Sequence, residues 1–553
     1  MPIALKLYDS YLKKVITIDP DQTIQKNTLK MYSCGPTVYA YQHIGNMRAV
    51  VLADTIVKTA KLCGWKTQWV LNITDVGHLV GDGDEGKNAL DSEDKIQKSA
   101  NSSGQTVEQI VSFYTNDYLA QTKALNVDLP TTIFDFQKDL NAGVVNPKAS
   151  EYIKEQMVLA LELLRDGKAY LLDDGIYFDS IVNKDLIIPF KVIEGDSNFT
   201  GRDMVNTIKN PADFALWKFV SENTLQKWKF YDFPDAVAVL AQCQTEGRIM
   251  NMWGCPGWHS ECVAMICSIL ARKMIKNRKQ FTFSDFANAE LSGTQYSSVQ
   301  TKNEYVIDLH LGGEDHIDIH HKNEILQSEA LGFHLSQFWV HNKFLLVDGK
   351  KMSKSIGNVY TVIGDKDVTG FDSIVSRGFD PLAFRLLLLE NHFTNQMDFT
   401  FDKLTQSQAR LHGLRKEIAK IISFKQNFGF TEELDTEMLG LDQRPFLEIL
   451  ADNLNTPKFI DAYQQKVLEI SNNIKQNEIM TENDYQLLYT LHNEILQVDL
   501  FKSPAREIRV LADLRWKAKA VKDWKLSDEF RAKIEALGWT VDDYTWGYGL
   551  WVR

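Results

Sequence analysis

The sequence has no long apolar run. No stretch of its 553 residues approaches the ~18 uninterrupted apolar residues that a membrane-spanning helix needs. The first residues, MPIALKLYDSYLKKVITIDPDQ, mix Lys with Asp and lack the apolar core of a secretory signal peptide. Both absences argue against a membrane or secreted protein, so we expect a cytoplasmic location and no membrane partner.

Cysteine is also scarce, and basic residues are outnumbered by acidic ones. So few thiols in a long chain favour free thiols or metal ligands over a disulfide framework. The net charge of −12 argues against indiscriminate coating of nucleic acid, because such proteins neutralise phosphates with Lys and Arg; a local basic face remains compatible with it. The six cysteines are Cys34, Cys63, Cys243, Cys255, Cys262 and Cys267.

The segment from residue 29 to residue 72 has the pattern of a strand–helix–strand unit. A strand (TLKMYSC) and a Gly-Pro turn precede a helix over about residues 43–63, and a second strand (TQWVLNIT) follows. Such units build parallel sheets, whose ligands bind beyond the carboxyl ends of the strands. We therefore expect Cys34, Thr37 and His43 in one crevice.

The length exceeds what one hydrophobic core usually organises, so we expect several domains. The predicted fold is α/β: a Rossmann-like parallel-sheet catalytic domain split by an inserted domain, then an α-helical bundle and a small C-terminal module. The expected boundaries are 1–105 and 236–345 for the two catalytic halves, 106–235 for the insertion, 346–405 for a KMSKS and stem-contact segment, 406–502 for the bundle and 503–553 for the module.

The segment CGPTVYAYQHIGN places His43 and Asn46 on either side of Gly45 at a helix start. Free backbone N–H groups and the helix dipole favour phosphate there, and Gly45 lets a nucleotide approach the backbone. We expect His43 and Asn46 to act in catalysis and, with Thr37 and Gly45, to bind ATP. A histidine at a helix start is more often a cap or a buried hydrogen-bonded group, and this alternative stays open.

The segment KMSKSIGN, from Lys351 to Asn358, supplies two ammonium groups and two hydroxyls on a predicted loop. Lys351 and Lys354 would neutralise charge on a departing polyphosphate. A solvated basic loop is the alternative, but five specified residues rarely match by chance, and the upstream HIGN weakens it further.

HIGN with KMSKS far downstream resembles the two signatures of class I aminoacyl-tRNA synthetases. Within that class the chain resembles cysteinyl-tRNA synthetases over nearly its whole length, with the family's motifs in order. The resemblance implies ATP-dependent ligation of L-cysteine to tRNA(Cys) through cysteinyl-adenylate, with Mg²⁺ accompanying ATP. The segments that carry it are CGPTVYAYQHIGNMR, LNITDVGH, DFALWK, GWHSECVAM, DLHLGGEDHIDIHHKNEILQSEA and VDGKKMSKSIGN.

Four residues form a candidate metal site. His320 and Glu324 lie four apart on a helical stretch, so both project from one face. Cys34 ends the first strand and Cys262 lies on a predicted helix; two thiolates, an imidazole and a carboxylate suit tetrahedral zinc. The resemblance implies the same four ligands for one Zn²⁺ per chain.

Each ligand also has another interpretation. A lone Cys is commonly a small buried hydrophobe, and a His/Glu pair at this spacing is often mere helix pairing. His321 is the rival imidazole. Cys255 is the rival thiol, although it falls outside the family motif.

The need to select cysteine over serine would explain why the site holds a metal ion. Serine differs from cysteine only by oxygen in place of sulfur, and an apolar pocket discriminates such a small difference by only about 1–3 kcal/mol. Zinc binds thiolate strongly and lowers the pKa of a thiol, whereas an alcohol stays protonated. The substrate sulfur would occupy the open zinc position, and little editing would be needed.

The resemblance implies further pocket residues. Thr74, Trp258 and His259 would line the cysteine pocket, although a buried Trp that packs a helix on the sheet is the alternative. Gly312 and Asp315 follow a predicted strand and are expected at the ATP site. Asp315 would hold either the substrate ammonium or the ribose.

Two stretches depart from the family pattern. Polar residues at about 276–305 separate the Cys262 helix from the DLHLGG strand, and we expect a surface excursion there. The sequence after His392 lacks the family's Tyr-Arg pair, so one tRNA-backbone contact is expected to be missing.

The C-terminal segment is basic and ends with Trp539, Trp546 and Trp551. It resembles the family's anticodon-reading module, in which aromatic rings stack on unpaired bases; a solvated helix face is the alternative. Such a tail is absent from zinc-dependent cysteine ligases that act on a sugar amine, the nearest enzymatic alternative. A non-catalytic zinc-containing RNA-binding protein is the alternative of another class, and the intact HIGN and KMSKS motifs argue against it.

Overall fold

The computed structural model describes residues 2–76, 95–127, 129, 144–172, 174–183, 208–210, 212–229, 253–270, 305–353, 356–430, 432–477 and 479–553. Lys354 and Cys243 lie outside these residues, as does almost all of the predicted polar excursion at 276–305. Within the described residues, no helix combines the length and the apolar character needed to cross a bilayer.

The first third of the chain supplies seven of the described strands and four of the described helices. The strands are β1 (Leu5–Asp9), β2 (Lys14–Ile18), β3 (Thr28–Ser33), β4 (Lys66–Leu71), β5 (Val144–Val145), β6 (Ala169–Leu172) and β7 (Gly175–Phe178). The helices are α1 (Ile44–Leu62), α2 (Lys95–Ser103), α3 (Val107–Ala124) and α4 (Ile153–Arg165).

The middle of the chain alternates strands and helices. The described strands are β8 (Phe214–Phe219), β9 (Trp228–Lys229), β10 (Trp253–Pro256), β11 (Tyr305–Gly313), β12 (His334–Asn342), β13 (Leu345–Val347), β14 (Tyr360–Thr361), β15 (Asp372–Ser373) and β16 (Met397–Phe399). The helices are α5 (Trp258–Leu270), α6 (His320–Ala330), α7 (Lys366–Thr369) and α8 (Pro381–Leu389).

Helices dominate the last part. They are α9 (Phe401–Phe428), α10 (Thr436–Ala451), α11 (Thr456–Asn477), α12 (Glu482–Leu491), α13 (Arg506–Ala520) and α14 (Trp524–Ala536), followed by strands β17 (Trp539–Asp543) and β18 (Tyr548–Val552). Short 3-10 turns occupy Pro20–Gln22, Ala149–Tyr152 and Glu314–His316, and a π-helical turn occupies His492–Leu496.

The central sheet is parallel and has the order β12-β11-β3-β4-β5. Strand β3 is buried along its whole length, as expected for a parallel strand covered on both faces. Helix α1 connects β3 to β4 and ends before Gly64, whose φ of +87° favours glycine. The carboxyl ends of β3 and β11 lie side by side, since Cys34 N donates to Leu311 O at 3.1 Å.

A second sheet lies in the sequence between the strands of the central sheet. Its order is β6-β7-β8-β10-β9, and its neighbouring strands are antiparallel. The chain thus leaves the central sheet after β5 and returns with β11. The predicted α/β class, a parallel-sheet domain interrupted by an insertion and followed by helices, is confirmed.

A buried ion pair ties α1 to the C-terminal half. The Arg385 guanidinium on α8 donates to Asp54 at 2.9 Å and to the backbone carbonyls of Leu125 and Leu496. Lys58 lies 2.5 Å from the same carboxylate. Burial lowers the pKa of Lys58 to about 8.

The C-terminal strands β17 and β18 form an antiparallel hairpin on α13 and α14. Trp539 is buried in the small core of this unit, and the Trp551 indole donates to Asp542 at 2.7 Å. Trp546 packs on Phe424 of α9. Each of these three tryptophans therefore has a partner within the protein.

Candidate active site and metal centre

A cleft of about 530 Å³ opens at the carboxyl ends of β3, β4 and β11. Gly312, His259 and Glu324 are not among its lining residues, and Lys354 lies outside the described part of the chain. The predicted site residues that line it are Cys34, Thr37, His43, Gly45, Asn46, Thr74, Trp258, Cys262, Asp315, His320 and Lys351.

His43 caps the first turn of α1 and lines the cleft together with Gly45 and Asn46. Asn46 N donates to His43 Nδ1 at 3.3 Å, and His43 N donates to Asn46 Oδ1 at 3.1 Å. Because Nδ1 accepts, Nε2 carries the proton of the neutral ring. Burial lowers the pKa of His43, which favours that neutral form. Capping therefore fixes the ring at the cleft and leaves an N–H donor.

The two sequence motifs meet in the structure. A Cβ added at Gly45 would lie 2.6 Å from Met352 Cε, so the KMSKS segment packs directly on the start of α1. Lys351 Nζ lies 4.1 Å from the centre of the Phe344 ring, within cation–π distance. The Asn358 side chain donates to Lys351 O at 3.1 Å, which holds the backbone of Lys351 in place.

The four predicted metal ligands converge. Cys34 follows β3, Cys262 lies on α5, and His320 and Glu324 lie one turn apart on α6; one ligand atom from each falls within 4.8 Å of the others. The sulfurs are 4.0 Å apart, and Cys262 Sγ lies 3.5 Å from His320 Nε2. His320 Nε2 lies 3.1 Å from Glu324 Oε1.

Burial opposes the ionisation of both thiols, yet their pKa values move apart. A hydrogen bond from Cys262 and the charges of His321 and His320 hold the pKa of Cys34 well below its usual range. Burial and the neighbouring Cys34 raise the pKa of Cys262. The pair therefore favours one thiolate and one thiol.

In the rest of the cluster, imidazole groups that carry an extra proton balance the negative charge of the buried Glu324 carboxylate. Burial would lower the pKa of His320, but Glu324 and Cys34 raise it to about 10. Burial likewise opposes ionisation of Glu324, but His310 and other imidazoles hold its pKa below the usual range. A divalent cation would displace these protons, since metal ligands bind in their deprotonated forms.

Three further histidines contact the ligands, and two of them, His310 and His321, belong to a second convergent group. Cys34, His310, His321 and Glu324 also bring one ligand atom each to within 4.8 Å. The rival ligand His321 is thus in reach of an ion, whereas Cys255 on β10 belongs to neither group. The contacts are His310 Nε2 to Glu324 Oε2 at 2.9 Å, His321 Nε2 to Cys34 Sγ at 3.3 Å and His259 Nδ1 to His320 Nδ1 at 3.1 Å.

The predicted pocket residues surround this cluster. The ring centre of Trp258 lies 4.4 Å from that of His320. Thr74 Oγ1 accepts from Asn72 Nδ2 at 3.0 Å, which orients it at the cleft wall. A Cβ at Gly312 would lie 2.7 Å from His321 Cε1, so the structure gives this position a packing role that makes room for imidazoles.

The family described as "tRNA synthetases class I (C) catalytic domain" matches residues 20–81, 86–232 and 295–409, together more than half of the chain. Cysteine–tRNA ligase 1 of Burkholderia lata is 30% identical over 98% of this chain and 95% of its own length. The chain belongs to the class I cysteine–tRNA ligases.

The chain is also similar to a second curated ligase and, more distantly, to a solved structure. The cysteine–tRNA ligase of Treponema denticola is 29% identical over 98% of both chains. Among solved structures, Mycobacterium tuberculosis methionyl-tRNA synthetase in complex with methionyl-adenylate is 14% identical, covers 85% of this chain and 90% of that one, and has a TM-score of 0.42. The family match includes HIGN, KMSKS and three of the predicted ligands, whereas Cys262 lies between two matched stretches.

Sequence reasoning missed three histidines of the cluster: His310, His316 and His341. His341 Nε2 lies 2.7 Å from His321 Nδ1, and His310 is fully buried. A signal was available, because His310 and His341 each interrupt an apolar strand near its carboxyl end, where the cleft was expected.

Proposed function

We propose that this chain ligates L-cysteine to tRNA(Cys) in two ATP-dependent steps, through cysteinyl-adenylate, with zinc selecting the substrate thiol. The observation that carries the proposal is the convergence of Cys34, Cys262, His320 and Glu324 beside the HIGN and KMSKS motifs. The names of the full-length relatives support the choice of amino acid. The cytoplasmic location stays a prediction.

Zinc fits the donor set. Two sulfurs, an imidazole nitrogen and a carboxylate oxygen are ligands that it prefers. Both oxygens of Glu324 are buried and lack a well-aligned hydrogen bond among the described residues. Such an atom costs about 1–3 kcal/mol, which a cation would offset. We assign the ion to the group with Cys262 because it offers two thiolates, and the group with His310 offers one.

When bound, zinc supplies a Lewis acid that prefers a thiolate to an alcohol, and this preference would reject serine. The chain's own residues shape the rest of the pocket. Trp258 lies against the His320 ring and forms one wall, and Thr74 forms another. His259 contacts His320 from behind and would fix the orientation of that ligand.

In the first step a carboxylate oxygen of cysteine attacks the α-phosphorus of ATP, and the bond to the leaving pyrophosphate breaks. The N–H groups at the start of α1, with His43 Nε2–H, would hold the phosphates. Lys351 and Lys354, with Mg²⁺, would neutralise the departing pyrophosphate. Such chemistry needs positioning and charge stabilisation rather than a nucleophilic side chain.

In the second step a hydroxyl of the terminal tRNA ribose attacks the adenylate carbonyl, and AMP leaves. We assign the reaction to the catalytic halves 1–105 and 236–345 around the insertion 106–235, with segment 346–405 carrying KMSKS. The bundle, 406–502, and the module, 503–553, would bind tRNA. In that module Trp524 is 57% exposed and would offer a ring to an unpaired base.

Cysteine-dependent exchange of pyrophosphate into ATP tests the first step in the zinc-loaded full chain. We expect exchange with cysteine and little with serine, and cysteinyl-tRNA once tRNA(Cys) is added. Exchange without any charging of tRNA would favour the ligase that acts on a sugar amine. Absence of exchange in a folded, zinc-containing protein would contradict the proposal and favour a non-catalytic RNA-binding protein.

A further inference from the structure

Arg48 lies on α1, two residues after the HIGN motif, and is buried. Nη1 donates to the carbonyl oxygens of Lys343 and Phe344 at 2.6 and 3.0 Å, and Nη2 donates to those of His392 and Asn395 at 3.2 and 2.7 Å. All hydrogen bonds that the guanidinium makes to described residues go to backbone carbonyls. The buried charge therefore fixes two backbone segments relative to α1.

The first of these segments leads into the KMSKS loop. Lys343 and Phe344 connect β12 to β13, and the KMSKS motif follows β13. Glu314, in the turn after β11, binds the same two residues: Oε1 accepts from Phe344 N at 2.5 Å, and Oε2 accepts from Lys343 Nζ at 2.8 Å. A buried guanidinium and a carboxylate therefore hold the backbone of Phe344 at its carbonyl and at its N–H.

The Phe344 ring in turn contacts the KMSKS loop. Lys351 Nζ lies 4.1 Å from the ring centre, and both residues line the cleft. Lys351 itself is exposed, and a free lysine side chain loses up to about 2 kcal/mol of rotamer entropy when it is held in one place. A ring whose backbone is fixed limits the positions of the ammonium before ATP binds, so less of that entropy is lost on binding.

We propose that Arg48 is a positioning residue for ATP activation: it fixes the backbone of Phe344, whose ring holds the Lys351 ammonium beside the cleft. The inference rests on the proposed role of Lys351 at the departing pyrophosphate. It adds a second link between the two motifs, because Gly45 packs on Met352 at the first turn of α1 and Arg48 acts about one turn later. Arg48 is not among the cleft-lining residues, so it would act on the nucleotide only through Phe344.

Cysteine-dependent pyrophosphate exchange in the zinc-loaded full chain tests the inference. Arg48→Met should raise the KM for ATP about tenfold, because Lys351 is no longer held in place, and leave the KM for cysteine within about twofold of wild type. Arg48→Lys keeps the charge but not the planar fork and should give a smaller rise. Arg385→Met is the matched control: Arg385 is also a buried guanidinium bonded to backbone carbonyls, but it lies outside the cleft, so the KM for ATP should not change.

Phe344→Leu tests the next step separately, because it removes the ring and keeps the carbonyl that Arg48 binds. It should also raise the KM for ATP, and Phe344→Tyr, which keeps the ring face, should restore it. Combined with Arg48→Met, it should raise that KM no further than the larger single change, since both substitutions act on Lys351 through one contact.

An unchanged KM for ATP in folded Arg48→Met would overturn the inference; Glu314 and the Met397 N–H, which donates to Phe344 O at 3.1 Å, would then be sufficient. Equal rises in both KM values, or multiplied effects in the double variant, would overturn it as well. If Arg48→Met does not fold, Arg48→Lys decides by the same criteria. A wild-type protein without exchange would reject the proposed function together with this inference, whereas wild-type exchange with unchanged variants would reject this inference alone.

Discussion

Two buried clusters of charged groups show opposite chemistry. Around Arg385, every guanidinium nitrogen donates to a carbonyl or to Asp54. Around Glu324, neither carboxylate oxygen and neither ring nitrogen of His310 has a well-aligned hydrogen bond among the described residues. Buried polar groups are normally satisfied within the protein. The first cluster is complete without a ligand, whereas the second leaves buried polar atoms unsatisfied, which is the arrangement that the proposed metal site requires.

The largest expected effect comes from removing a ligand of the second cluster. Cys262→Ser should reduce zinc affinity by about 1,000-fold, or about 4 kcal/mol, since structural zinc contributes roughly 10–16 kcal/mol over four ligands. Cysteine binding should weaken with it. Metal content after dialysis and cysteine-dependent pyrophosphate exchange measure both.

Cys267→Ser is the matched control for that variant, because Cys267 is a fully buried thiol on the same helix but outside both ligand groups. It should retain zinc. Equal zinc retention in the two variants would remove Cys262 from the site.

Disrupting the first cluster, around Arg385, should lower the stability of the protein without changing metal binding. Arg385→Met leaves Asp54 buried without its guanidinium partner, which should lower the free energy of unfolding by about 3 kcal/mol. Denaturant unfolding measures the loss, and zinc content per folded molecule should stay at the wild-type value. Arg410→Met, which removes a partly exposed pair with Asp461, should change stability by less than about 1 kcal/mol. Similar losses for both variants would contradict the comparison.

A third cluster of charged groups lies in the C-terminal module; its groups are paired within the protein, but Asp543 and Lys519 are only partly buried. Burial alone would raise the pKa of Asp543, but bidentate contact with Arg515 and a contact with Lys519 lower it to about 2. Because the folded-state pKa is depressed, the stabilisation is complete above about pH 4 and is lost as the pH falls toward 2.

Asp543→Asn should therefore destabilise the module by about 2 kcal/mol at pH 7, and the difference from wild type should narrow in acid. Thermal unfolding followed through Trp539, which packs in the same core, measures it. Asp528→Asn at an exposed position is the control. A pH-independent difference would show that lost packing, not the charge, is responsible.

The smallest expected change in stability comes from replacing Gly45, the glycine at which the HIGN and KMSKS motifs meet. Gly45→Ala should cost about 1 kcal/mol of stability, because its Cβ meets the flexible end of Met352 at 2.6 Å and the His43 ring at 3.0 Å, and it should raise the KM for ATP several-fold. Gly413→Ala on α9, where nothing lies within 4 Å, should instead stabilise by about 0.5–1 kcal/mol without changing that KM. An unchanged KM in Gly45→Ala would contradict contact between the motif and nucleotide.

The sequence predicted those secondary-structure elements whose limits depend on the local residue pattern. The helix expected over about 43–63 is Ile44–Leu62, because Gly64 and the flanking strands set its limits. Residue types and spacing made the four ligands a candidate zinc set, and the family resemblance implied the same set. Their convergence could not be predicted from the sequence, since Cys34 and Cys262 are brought together by tertiary packing. The same packing hid the contact of His310 with Glu324 and the burial of Trp539, which no local periodicity encodes.

Anomalous scattering at the zinc edge from crystals of the full chain tests the central claim most directly. We predict one peak, about 2.3 Å from the sulfurs of Cys34 and Cys262 and about 2.0–2.2 Å from His320 and Glu324. A peak ligated by His310 and His321, or no peak from zinc-saturated protein, would contradict the account.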